Sequence, residues 1–129
     1  MAHILVVHDG SLLTGLITGS LRDDGHDVTH ADDPLAALQL TAEGHRLFDL
    51  ILTDGVTKPI SGFELARRLV IMGSRAPVLF MSGSRSVVSV VVKSLGRSAV
   101  IEKPLSAPQL RASVGKRLES RNPPAQSVT

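Results

Sequence analysis

The chain has no cysteine, tryptophan or tyrosine, and phenylalanine occurs three times in 129 residues. Without cysteine there are no disulfides and no thiolate metal sites, which suits a reducing cytoplasm. Aromatic residues at 2% leave little to stack nucleobases on or to cover a flavin. No apolar run approaches the roughly 20 residues that cross a bilayer, and no basic n-region precedes His8 and Asp9. The expectation is a soluble, cytoplasmic protein without a membrane partner. A single core commonly holds about 100–200 residues. One domain over residues 1–119 is therefore expected, with the linker-like SRNPPAQSVT (120–129) as a frayed tail.

Charge is unevenly distributed. Residues 1–56 carry nine carboxylates against Arg22 and Arg46, a net of −7, whereas residues 57–129 carry a net of +9. Such asymmetry can mark a nucleic-acid surface. Here the basic residues scatter over several helix-like segments with no run and no interleaved aromatics. A solvated basic face or a protein partner is the expectation, and not nucleic acid.

Strand-like runs occur at Ile4–Val7, Asp27–Ala31, Leu50–Thr53, Pro77–Met81 and Ala99–Glu102, three of them continuously apolar, as in strands covered on both faces. Helix-like stretches alternate with them: Ser11–Arg22, Pro34–Glu43, Gly62–Met72, Ser86–Leu95 and Ala107–Leu118. Asp33 before Pro34, and Ser106 before Ala107 and Pro108, read as helix caps. Gly25, Gly44, Gly73 and Gly96 stand where helices stop in a left-handed residue. SVVSVVVKSLG (86–96) is β-branched and locally strand-like, but a right-handed crossover needs a covering helix there. GLITG (15–19) has small residues at a spacing that predicts close packing of the first helix on the sheet. Alternation of this kind implies an α/β doubly wound domain around a parallel sheet.

In such sheets ligands bind beyond the carboxyl ends of the strands. Asp9, Asp54, Ser82 and Lys103 fall at or just past the ends of four different runs and should share that edge. Clustered oxygen donors suit a hard ion such as Mg²⁺ completed by phosphate oxygens. A carboxylate can also attack a phosphoryl group to form an acyl phosphate, with lysine and serine neutralising the transferred oxygens. A three-histidine metal site built from His3, His26 and His30 is not expected, because the ends of those strands lie far apart.

ILVVHDG, DLILTDG, Gly62 eight residues after Asp54, PVLFMSG and EKPL, in that order, resemble the receiver domain of two-component response regulators over residues 3–119. The wording GFELARRL…PVLFMSG…KPL is most similar to receivers attached to hybrid histidine kinases. The resemblance implies a flavodoxin-like (βα)5 three-layer sandwich with five parallel strands in the order 2-1-3-4-5, known from a chemotaxis receiver. It implies Asp54 as phosphoacceptor, Asp9 and Asp54 as Mg²⁺ ligands with the Val56 backbone carbonyl, Ser82 as switch hydroxyl and Lys103 as phosphoryl-binding cation. It also implies a cis Lys103–Pro104 bond, and a histidine kinase or histidine phosphotransfer protein as partner. Chemistry would be limited to the chain's own phosphoryl transfer and dephosphorylation.

Three positions depart from the family pattern. His8 stands where a second acid is usual, and an indirect, water-mediated role near the metal is expected of it. Thr57, Lys58 and Pro59 follow the phosphoacceptor loop with the proline one place late. Val100 replaces the switch aromatic. A degenerate pseudo-receiver that binds partners without phosphate is the alternative; an electron carrier is disfavoured for want of a flavin-covering aromatic. With no output segment expected after Leu118, signalling would run through docking, including a possible homodimer. The surface would be formed by the fourth helix, fifth strand and fifth helix, where Val87, Val88, Val90, Val91 and Val92 encircle the helix.

Overall fold

The computed structural model describes residues 2–43 and 48–119. Five strands, β1 (His3–Val7), β2 (Asp27–Ala31), β3 (Leu50–Asp54), β4 (Val78–Ser82) and β5 (Val100–Glu102), alternate with five helices. These are α1 (Leu12–Asp23), α2 (Pro34–Ala42), α3 (Gly62–Ile71), α4 (Arg85–Leu95) and α5 (Ala107–Leu118). All strand pairs are parallel and the order is β2-β1-β3-β4-β5, the flavodoxin-like α/β arrangement.

The continuous apolar runs are explained by burial on both faces. Ile4, Val6, Leu50, Leu52, Leu79 and Met81 point to one side, where they meet Ile17 and Leu21 of α1 and Leu110 and Val114 of α5. Leu5, Val7 and Ile51 point to the other, against Ala37 of α2 and Leu65 and Leu69 of α3. Phe80 continues that second layer under Val91 of α4. Fully burying one such side chain is worth about 1.5–3 kcal/mol, and both layers draw on every central strand. A one-residue slip would exchange the layers; the register is held with Val7 beside Thr53 and Asp54 beside Met81.

Side-chain oxygens of Asp33, Ser61, Ser84 and Ser106 accept the N–H three residues on, satisfying a first-turn donor of α2 to α5. Gly25, Gly73 and Gly96 have positive φ at helix ends, as expected; Gly44 lies outside the described residues, as does the tail. The valine-rich segment is helical: burial of Val91 against Phe80 and Ala99 outweighs its local strand preference. Lys103–Pro104 is cis, and so is Lys58–Pro59.

Several boundaries differ. β4 begins at Val78 and reaches Ser82, and Ala99, expected to open the last strand, instead closes a 3₁₀ turn over Arg97–Ala99. The GLITG reading fails: Cβ atoms placed on Gly15 and Gly19 would meet open space, so these glycines do not bring α1 closer to the sheet.

Candidate functional site

Parallel register delivers the strand ends to one edge. Asp54 closes β3, its side chain 21% exposed, with Lys103 Nζ 2.7 Å from Oδ1. That buried oxygen makes no hydrogen bond, so the contact is an ion pair with angles unsuited to hydrogen bonding. Lys103 is placed by its own N–H, which donates to the Ser82 carbonyl at 2.8 Å and ties the end of β5 to β4. Partial burial strengthens the attraction over that in water.

On the opposite side of Asp54 stands His8, 5% exposed, with Nε2 3.2 Å from Oδ2. The sequence-based expectation for His8 is a water-mediated role near a metal; here its ring stands directly against the acid. Its Nδ1 is 2.6 Å from Thr14 Oγ1 and 3.1 Å from Asp9 Oδ1. Thr14, buried in the first turn of α1, also accepts the Gly10 N–H at 3.1 Å. The His8 backbone is fixed on the β2 side: its N–H donates to Ala31, and its carbonyl lies 2.8 Å from His30 Nε2.

Asp9 turns outward, 78% exposed. The Ser11 N–H, donating to Oδ1 at 3.1 Å, and the Ser11 hydroxyl hold its carboxyl below the usual carboxylate range. Gly10 follows with φ +80°, a conformation that favours glycine. His8, Asp9, Asp54 and exposed Val56 line a cleft of about 320 Å³ that extends to Asp32, Asp33 and Lys58. Thr57 closes the loop beyond Val56 by donating to the Ile60 carbonyl at 2.6 Å.

Ser82 is buried at the end of β4, one residue beyond the register partner of Asp54. Its hydroxyl oxygen accepts the Ser84 N–H at 3.0 Å, so it serves its own turn. Gly62 is where α3 meets the site: a Cβ there would collide with the Asp54 carbonyl oxygen, and its N–H donates to Gly55 at 3.0 Å. The structure thus gathers Asp54, Lys103, His8 and Asp9, and places Val56 on their cleft. Thr14 and His30 were not foreseen. A Thr six residues after His8 carries no sequence signal until α1 is known to start at Leu12.

Mg²⁺ demands near-octahedral oxygen ligation. The carboxylates of Asp9 and Asp54 and the Val56 carbonyl are suitable in kind. In arrangement they do not fit the ion: His8 touches Asp9 through one ring nitrogen and Asp54 through the other, so the imidazole lies between the two acids. Among the described residues no three His, Asp or Glu side chains converge as a metal site.

A family model for the response regulator receiver domain matches residues 4–115. The chain is 31% identical over 87 residues to the response regulator receiver protein CpdR of Brucella abortus, covering 67% of this chain and 71% of that protein. It is 33% identical over 118 residues to the sensor histidine kinase AruS of Pseudomonas aeruginosa, covering 88% of this chain but 12% of the kinase. Among solved structures it resembles the receiver domain of the hybrid histidine kinase CckA, with a TM-score of 0.72 and 27% identity, covering 90% of this chain and 98% of that one. The chain spans about half the length of several curated relatives it matches, 55%, 55% and 51% for three transcriptional regulatory proteins. Among the described residues no helix is long and apolar enough to cross a membrane.

Proposed function

The chain belongs to the response regulator receiver domain family, and from that premise we propose that it is a signalling switch whose Asp54 accepts a phosphoryl group. The observation that carries this is the Asp54–Lys103 ion pair at the carboxyl edge of the sheet. A carboxylate oxygen of Asp54 attacks the phosphorus of a phosphohistidine; the O–P bond forms as the N–P bond breaks, and the departing imidazole takes up a proton. Lys103 offsets the charge on the transferred oxygens, and the Ser82 hydroxyl turns from Ser84 to bond one of them. The donor is a histidine kinase or histidine phosphotransfer protein, in keeping with the kinase receiver segments the chain resembles.

Output is by docking. Val90 and Leu95 are 55% and 51% exposed on α4, and a groove of about 300 Å³ between α4, β5 and α5 is lined by Val88, Val100, Glu102, Gln109 and Lys116. This α4–β5–α5 face is the surface for a protein partner or a second copy of the chain.

Receivers of this family generally bind Mg²⁺ for phosphorylation. In this chain the ion has a place only if His8 gives it up, so the test is run with and without it. Intact mass after treatment with acetyl phosphate should rise by one phosphoryl group. Asp54→Asn should abolish the gain, and Lys103→Met should slow it at least tenfold. An equal gain in Asp54→Asn would overturn the assignment. The position of His8 favours a second reading, a pseudo-receiver that docks without phosphate. No mass gain under any condition, with the wild-type fold intact, would select it.

A further inference from the structure

The sheet order turns the uneven charge of the sequence into an uneven surface. Residues 1–56 carry a net charge of −7 and residues 57–129 a net of +9. Strands β2 and β1 stand at one end of the order, β4 and β5 at the other. Four strand spacings, about 19 Å, separate β2 from β5. At the β2 end Asp9, Asp32 and Asp33 are exposed and line the same cleft. Their loops lie together: a Cβ on Gly10 would stand 3.7 Å from Asp32 Oδ1. Leu12 and Leu16 begin α1 just after the first loop, and Leu35 begins α2 just after the second; they are 96%, 48% and 47% exposed. At the β5 end the groove between α4, β5 and α5 is lined by Val88 and Val100 together with Arg97 and Lys116. Half-exposed Leu95, seven residues after Val88, shares its face of α4. Single exposed apolar side chains are ordinary on a monomer. Here two apolar patches occur, one edged by carboxylates and the other by cations.

We infer that the chain associates head to tail, the α4–β5–α5 face of one copy seated on the acidic patch at the β2 end of the next. The occupant is a second copy because the two patches match twice over, apolar against apolar and cation against carboxylate. Distance along the sheet keeps them from meeting within one molecule. A symmetric pairing of two β5-end faces offers Arg97 and Lys116 a single lining carboxylate, Glu102, whereas the β2 end offers three. The contact is therefore heterologous and leaves one patch of each kind open, so it grows into a chain or closes into a ring. This deepens the docking part of the proposed function and rests on it, naming the second copy and the surface it presents. A copy seated there also covers the cleft that leads to Asp54.

The test reads assembly of the unphosphorylated protein, so its outcome is separate from whether Asp54 accepts phosphate. Sedimentation of the wild type should show species that grow with concentration. Association should weaken at least tenfold between about 0.1 M and 1 M sodium chloride, as the screening length falls from about 10 Å to 3 Å. Lys116→Glu and Asp32→Lys, both at exposed positions, should each weaken it by a similar factor. Their equal mixture should form pairs and nothing larger, because the intact acidic patch of the first variant receives the intact basic face of the second. Amide signals of labelled wild type, on addition of unlabelled wild type, should shift around Leu12 and Leu35 as well as around Arg97 and Lys116. A wild type that stays monomeric at every concentration would overturn the inference. So would a symmetric dimer, which Lys116→Glu breaks and Asp32→Lys leaves intact, or a mixture no more associated than its two components.

Discussion

Helices α3 and α4 lie over the same side of the sheet, yet they are held differently. α3 buries Leu65 and Leu69 completely and starts with Gly62 pressed on the Asp54 carbonyl. Its first turn is clamped by Glu64, which binds Arg67 and Arg68 at 2.6–2.9 Å. α4 fully buries Val91 alone; both helices leave apolar side chains in water, Val90 and Leu95 on α4 and Val70 and Ile71 on α3. One helix is thus part of the platform that aims the acid. The other begins three residues after Ser82 and rests on fully buried Val91 with half-buried Val87 beside it, a smaller anchor whose position costs less to change. Under the proposed function this division is useful: the site stays in place while the neighbouring surface responds.

The strongest way to break the comparison is at Gly62. Gly62→Ala puts a methyl group into backbone that cannot move without moving Asp54. Overpacking of this kind costs about 3 kcal/mol, the upper end for well-packed sites. Urea unfolding should show a lower midpoint with an unchanged slope, and phosphoryl uptake by the folded fraction should fall with it. A variant as stable as the wild type would mean that α3 is not seated on the acid.

Val91 and Val90 sharpen the comparison from the other side. Val91→Ala removes two buried carbons and leaves a cavity beside Phe80 and Ala99, a loss of about 2 kcal/mol. Val90→Ala, one residue earlier on the open face, should stay within about 0.5 kcal/mol. It should instead weaken self-association or partner docking, read by sedimentation at several concentrations. Equal destabilisation by the two changes would show that α4 packs on both faces.

How much of this was legible beforehand follows the same division. The strands and the acid at the end of β3 could be read because apolar runs buried on two faces leave a plain pattern, and because Lys103 has to follow the last of them. Helix α4 was legible only from the alternation, since its valines favour a strand locally and tertiary burial decided otherwise. Gly62 stood out by its spacing from Asp54, while its reason, the carbonyl it faces, needs coordinates. The direct contact of His8 with Asp54 was beyond reach: it depends on which way one ring turns, and that depends on Thr14 arriving with the first turn of α1. Small residues in GLITG misled because a spacing says nothing about which face of a helix it occupies.

The smallest effect concerns the clamp on α3. Arg67, and after it Arg68, hydrogen-bond Glu64 and lower its carboxyl from 4.5 to about 2. A depressed folded value means that the clamp's contribution is fully present above about 4.5. It is lost as pH falls towards 2, because the unfolded chain takes up the proton first. Both arginines are exposed, so water and salt screen the pair and the stability involved is slight. α4 has no acidic residue at all, so this acid window should separate the two helices. The ¹³C carboxyl signal of Glu64 should titrate near 2 in wild type and move back up in Arg67→Ala. Amide shifts along α3 should follow the Glu64 titration while those of α4 stay still. A Glu64 midpoint at the ordinary carboxylate value would remove the clamp from the account and leave α3 anchored by Leu65, Leu69 and Gly62 alone.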